Sequence, residues 1–300
     1  MAAIHRNEDL PIRSEMTPAQ QPRLLKQIAC IRRKSNLTRK EFFDYHFRVH
    51  GSLSDKPEEL NDKPHKYVQT HFFDAAFGGR PNSVKGTGNH PWVGRDDMTE
   101  LYFRDWDHLK TCFSSDYVRD VVGPDGINFN DMETAIPLLA IEKPLHFDAN
   151  IPSFTAPEEG SATVAVLFLA AGSSETEEQL EQLCSPKLID ALKTRANGEV
   201  WGLLANVGIP SDQFDIREYF GGKNMPEYPV TYKIYMRDES SVPKVREAQK
   251  AFLATSKSFV DVENTFIAFG KEGLIMDVEK GIRFDSSRQP DMMAPNLSGS

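Results

Sequence analysis

The chain has 300 residues, 39% of them hydrophobic and 26% charged, which is enough apolar material for one large or two small cores and too much for a disordered segment. Its 35 basic against 44 acidic residues leave a formal charge of −9, which argues against a phosphate-binding surface and so against nucleic acid as a partner. No window approaches the roughly 18 apolar residues of a membrane span, and the first 23 residues lack a signal-like apolar run, so the reading is a cytoplasmic protein with no membrane partner. Cys30, Cys112 and Cys184 are too widely spaced for a disulfide framework or a zinc site and read as reduced packing residues.

In chain order, residues 24–33 form a β-prone run. A capping box at Thr38-x-x-Glu41, with Leu37 and Phe42 placed as a hydrophobic staple, opens a helix. It is predicted to run to about Val49 and to stop at Gly51 in the left-handed C-terminal position. A strand follows over 66–77, a Gly/Pro/Asn-rich loop over 78–96, a strand over 98–104, a helix from Asp105 to about Val122, and a strand over 134–143. The second part repeats the series. Strand 162–170 leads to a helix opened by Ser174-x-x-Glu177, then come strands 199–208 and 230–237, a helix from about Val242-Pro243, and strand 263–270.

The repetition is also literal. Leu101-Tyr-Phe-Arg-Asp105 recurs as Ile234-Tyr-Met-Arg-Asp238, and Phe129-x-Asp131-x-Glu133 as Phe259-x-Asp261-x-Glu263, offsets of 133 and 130 residues. Each half reads β-α-β-β-α-β, the ferredoxin-like series. A four-stranded sheet with helices on one face leaves the other apolar and uncovered, so the two halves should pack sheet against sheet. The expected division is an N-terminal tail (1–22), a first half (23–145), a linker (146–161), a second half (162–283) and a C-terminal tail (284–300). The fold class is α+β.

The stretch from Leu37 to His71 carries "LT-x-x-EF" opening a helix, His50-Gly-x-Leu near its end and Tyr67-Val-Gln-x-His71 on the next strand. It resembles the EthD family, whose members are small dimeric α+β barrels, and Phe129-x-Asp131 resembles that family's ending. The resemblance covers about 24–145 by motif and 162–283 by architecture. It implies an intramolecular dimeric α+β barrel, with both sheets supplied by one chain. Members of the family and related barrels include cofactor-independent decarboxylases of aromatic polyketide metabolism, cofactor-free monooxygenases and haem enzymes, so fold does not fix function.

All eight histidines lie at or before residue 146, so the first half holds the candidate chemistry. Alternation on the second strand groups His65, Tyr67, Gln69 and His71 on one face, with Val68 and Phe72 on the other. On the third it groups Glu100, Tyr102 and Arg104 against Leu101 and Phe103. If the apolar sets lie under the helices, the polar sets line the barrel interior. His46 and His50, four apart on one helix face, join them. His50 is read as the proton-transfer residue, with Tyr67 and His71 holding a phenolic or carbonyl oxygen. His46, His65, Gln69, Tyr45 and Tyr102, with Trp201 as an aromatic wall from the second half, are read as substrate contacts. His46 and His50 could chelate a metal with His65, His71 or Glu100, but two ligands are not a site, and neither metal nor cofactor is assigned. Asp131 and Glu133, mirrored by Asp261 and Glu263 in the histidine-free half, are read as structural. The leading expectation is a cofactor-independent lyase (decarboxylase, dehydratase or cyclase) acting on a small aromatic or polyketide-like acid or phenol. The alternatives are a cofactor-free monooxygenase of an anthrone-like phenol and a non-catalytic binding barrel. A homodimer through the outer faces is allowed.

Overall fold

The computed structural model describes residues 24–79, 90–147 and 162–292. The expected N-terminal tail and nearly all of the linker lie outside the described residues. Eight strands, β1 (Leu25–Ile31), β2 (Lys66–Phe77), β3 (Asp97–Phe103), β4 (Ile136–Pro144), β5 (Thr163–Ala171), β6 (Val200–Gly208), β7 (Val230–Met236) and β8 (Val260–Asp277), close into one antiparallel barrel. Its order is β1-β3-β2-β8-β5-β7-β6-β4, returning to β1. Each half contributes its fourth, first, third and second strands side by side. The halves are stitched at two seams, β2 with β8 and β4 with β6. This is the dimeric α+β barrel architecture in a single chain, with every strand paired on both sides.

Helices cover the outside. In the first half α1 (Arg39–Asp44) passes without a break through a π-helical segment, Tyr45–His50, into α2 (Gly51–Asp55). After β3 come α3 (Trp106–Ser114) and α4 (Gly123–Asp125), the latter preceded by π-helical Val118–Val122. The second half carries α5 (Glu177–Arg195), a short α6 (Ile216–Phe220) and α7 (Val242–Ser256). Leu180, Leu188, Val245 and Phe252 pack on Ala165, Leu167 and Leu169 of β5. Leu109 and Phe113 pack on Leu25 and Phe103, and Phe42 and Phe43 on Ala29 and Ile31. Each of the Leu, Ile, Val and Phe side chains contributes roughly 1.5–3 kcal/mol on burial. Among the described residues no helix is long and apolar enough to cross a membrane.

The Thr38 capping box forms as predicted, with both reciprocal bonds to Glu41. Two other local expectations fail. The cap of α5 is Thr176 with Gln179, not Ser174 with Glu177; this puts Glu177 and Glu178 in the first turn, where the helix dipole favours them. Gly51 does not end its helix in a left-handed turn: its φ of −59° is helical and the chain continues to Asp55. Its glycine has a packing cause, since a Cβ there would stand 2.7 Å from Ile275 Cδ1 on β8. His50 is therefore in mid-helix and not in a last turn.

The predicted face of β2 is also wrong. The ladder sets Tyr67 opposite Leu101, Gln69 opposite Thr99 and His71 opposite Asp97, and directly opposed residues share a face. Tyr67, Gln69 and His71 thus lie with Leu101 under the helices. The barrel interior receives Phe72, Met98, Ile28 and Cys30, packed on Val164, Val166, Phe168 and Phe266 of the second half.

One end of that interior is ionic. Lys26 Nζ stands 2.5 Å from Glu100 and 2.7 Å from Glu142, while Lys233 pairs with Glu100 and Glu272. Tyr102 donates to Glu142 at 3.0 Å and Tyr235 to Glu272 at 3.2 Å. Burial favours the neutral acid, but the two lysines hold the Glu100 carboxyl well below its ordinary range. Finally, the segment expected as a free tail from 284 is docked as far as 292. Gln289 bonds Arg48 at 2.5 Å and Asp44 at 3.0 Å, and Arg288 donates to the Leu274 and Ile275 carbonyls at 2.9 and 3.0 Å.

Candidate functional site

A cavity of about 350 Å³ opens between the first half's sheet and its helices, walled by His46, His50, Tyr67 and Phe129 together with Tyr219 and Phe220 of the second half. It is the space that the correction to β2 predicts: the polar residues of that strand face the helix carrying the histidines. The π-helical turn, in which the Gly51 N–H reaches the His46 carbonyl five residues back, is a conformation that often marks functional positions. It brings the His46 and His50 rings to 5.6 Å of each other, and Phe129 lies against both, at 4.6 and 4.9 Å.

His50 is held from behind. Its Nδ1 lies 2.9 Å from Asp125 Oδ2, and Asp125 Oδ1 accepts from Tyr45 Oη at 2.6 Å and Asn128 Nδ2 at 2.9 Å. Burial raises the Asp125 pKa, but these bonds outweigh it and bring it down to about 2. An ionised carboxylate can only accept, so Nδ1 carries the proton and Nε2 keeps its lone pair for the cavity. A base oriented by an anion, itself fixed by two donors, is the arrangement general-base catalysis needs.

A second polar layer lies deeper. Gln69 Nε2 donates to Tyr67 Oη at 2.7 Å and to the His46 carbonyl at 3.0 Å. Tyr67 Oη is 3.3 Å from His46 Nε2, and Gln69 Oε1 is 3.2 Å from His71 Nε2. Phe43 stacks on the His71 ring at 4.4 Å. Asp97 closes the layer, with an oxygen 3.4 Å from His71 Nε2 and another 3.6 Å from His46 Nδ1. Burial lowers the His71 pKa to about 4 and raises that of Asp97 to about 8; burial also lowers His46 and raises the Tyr67 phenol.

Of the candidates read from sequence, His46, His50 and Tyr67 meet at the cavity. Gln69 and His71 stand behind it, and Tyr45 acts on Asp125 rather than on the cavity. Three do not belong. His65 sits apart at the start of β2, 3.9 Å from Glu279. Tyr102 points into the barrel, toward the Lys26 and Glu142 pair. Trp201 packs against Tyr235 at 5.1 Å and donates to the Met236 carbonyl. Their strand positions put them on the wrong side of the sheet or at its far edge. Asp125, Asn128 and Asp97 were missed. The sequence around Asp125, Gly123-Pro-Asp-Gly126, carries the signal of a turn, although it closes a helical segment. Asp131 pairs with Arg32 at 2.5 Å, and Asp261 accepts from the Glu263 and Asn264 backbone; both are structural.

A closed eight-stranded barrel of two β-α-β-β-α-β halves, with a histidine-bearing cavity under the helices of one half, defines a dimeric α+β barrel protein. Within it, residues 34–133 match the family model of the EthD domain. Among solved structures it is similar to a protein described as anthrone oxidase-like, with 10% identity and a TM-score of 0.53 over 87% of this chain and 96% of that one. A variant of the chlorite dismutase of Candidatus Nitrospira defluvii aligns at 9% identity and a TM-score of 0.43 over 87% and 96%. At these identities the likeness is one of fold. No curated protein matches the sequence.

Proposed function

We propose that this protein is an oxygenase that activates its own substrate by deprotonation, acting on an electron-rich phenolic polycycle of the anthrone type. The observation that carries the reading is His50 Nε2, freed for the cavity by the Nδ1 bond to Asp125 at 2.9 Å within walls supplied by Phe129, Tyr219 and Phe220. Flat aromatic walls suit a flat aromatic ligand. His50 removes a proton from the activated methylene of the bound phenol, and Tyr67 Oη faces the oxygen on which the negative charge collects. The resulting enolate gives electrons to O₂ and forms a carbon-bound hydroperoxide. Loss of the second methylene proton with cleavage of the O–O bond gives a ketone and water, so both hydrogens and all four electrons balance without an external reductant. The similarity in fold to an anthrone oxidase-like protein favours this reaction by analogy over lyase chemistry on the same base.

The test is an anthrone and hydroxybenzoate panel with the purified full chain, followed by oxygen uptake and ¹⁸O incorporation. Stoichiometric O₂ consumption with one ¹⁸O retained in the product is expected, with a fall of about 10²-fold or more in His50→Ala, the usual size of a general-base contribution. Turnover undiminished without oxygen points to the lyase reading. Ligand binding with no turnover of any panel member, unchanged in His50→Ala, points to a binding barrel.

A further inference from the structure

The deeper layer contains a set of atoms that the base at His50 does not use. His46, His71 and Asp97 are buried, and one ligating atom from each lies within 4.8 Å of the others. Among the described residues, both Asp97 oxygens and His46 Nδ1 have no hydrogen-bond partner, and His71 turns Nε2 toward Asp97. The ionisable neighbours that act on Asp97 are His71, His50 and two more acids, Asp96 and Glu100. A carboxylate buried with acceptors and other acids, and with neither lysine nor arginine beside it, is costly to leave uncompensated. Two imidazoles and one carboxylate gathered this closely are also the donor set of a first-row transition metal.

We propose that His46, His71 and Asp97 bind one divalent transition-metal ion, of the kind of Zn²⁺, Fe²⁺ or Co²⁺, between the β2–β3 sheet and the π-helical segment that follows α1. Ligands about 2.1 Å from a tetrahedral ion lie about 3.4 Å apart. The carboxylate comes close to that spacing with each of its two oxygens, Oδ2 standing 3.4 Å from His71 Nε2 and Oδ1 3.6 Å from His46 Nδ1, so a small turn of the Asp97 side chain closes the triangle. Gln69 Oε1, 3.2 Å from His71 Nε2, stands in reach as a fourth, neutral donor. The Phe43 ring stacked on His71 at 4.4 Å and the Gln69 bond to the His46 carbonyl already fix two of the ligands, as outer partners do in metal sites. Neither His71 nor Asp97 lines the substrate cavity, so the ion lies behind its wall and the inference does not rest on the oxygenase reading.

The test is metal binding, independent of turnover. The full chain, stripped with a chelator, is titrated with Co²⁺ and followed by visible absorption and thermal melting. One equivalent is expected to bind saturably and to raise Tm. Asp97→Asn, nearly isosteric and relieved of the buried charge, should keep the fold and weaken binding by more than about 100-fold, beyond the loss of an outer partner. His71→Ala should do the same, while His50→Ala should bind as the wild type does. Absence of saturable binding overturns the proposal, as does binding that survives Asp97→Asn and His71→Ala unchanged.

Discussion

In the proposed reaction Asp125 orients the base, and replacing it by asparagine isolates that contribution. Three donors converge on its carboxylate: His50 Nδ1 at 2.9 Å, Tyr45 Oη at 2.6 Å and Asn128 Nδ2 at 2.9 Å. In Asp125→Asn the amide oxygen can keep Tyr45 and Asn128, and its NH₂ then faces His50 Nδ1, donor against donor. The imidazole resolves the clash by moving its proton to Nε2, which presents an acid to the cavity in place of a base. Loss of a charge-assisted bond of about 1.5–3 kcal/mol alone corresponds to a factor of roughly 10–150. With the wrong tautomer added, kcat should fall by about 10²–10⁴-fold. The assay is initial O₂ uptake with the best substrate of the panel, alongside circular dichroism and Tm to establish that the fold is kept. A folded variant with kcat/KM within about threefold of wild type refutes the role given to Asp125.

Glu100→Gln should be a stability mutation without a direct catalytic effect: Lys26 and Lys233 each lose one of two buried partners, a loss of about 3 kcal/mol. A melt should show Tm down by about 5 °C, and an unchanged Tm contradicts the assignment. Because the lysines depress the folded-state pKa of Glu100, its contribution is present above the unfolded value and is lost as pH falls below about 4.5. The wild-type denaturation midpoint should therefore drop through that acid range with a steeper slope than the Glu100→Gln variant shows. Tyr67→Phe removes the hydroxyl that lies between Gln69 and His46; kcat/KM should fall about 10- to 100-fold, on the roughly 1–3 kcal/mol cost of an unmade bond. A fall confined to Tm and absent from the kinetics places Tyr67 among packing residues only.

Sequence reasoning carried the architecture a long way because its signals are local. The Thr38 box, the alternation of β2 over 66–77 and the offset of the Leu101 and Ile234 motifs each live within a few residues, and the structure keeps all three. What failed depends on who stands opposite whom. The face of β2 is decided by its register with β3, where Tyr67 meets Leu101, and a strand's own alternation cannot say which of its faces meets a helix. Asp125 escaped notice because Pro and Gly on either side gave a turn signature, while its partner His50 is 75 residues away. The buried lysines were hidden for a related reason: nothing local to Lys26 or Lys233 shows the carboxylates of three other strands that surround them.

The charge pair formed by Lys233 and Glu100 has a bearing on how this chain came to be one chain. The two residues are 133 positions apart, the same offset as the Leu101 and Ile234 motifs, so they occupy the same place in the two repeats. Two identical first halves would bring a glutamate against a glutamate there, and two identical second halves a lysine against a lysine. Like charges in such a place cannot both stay ionised. Opposite signs at a symmetric position are open only to halves encoded separately and kept together. The pair therefore suits two unlike halves in one chain better than two copies of either half.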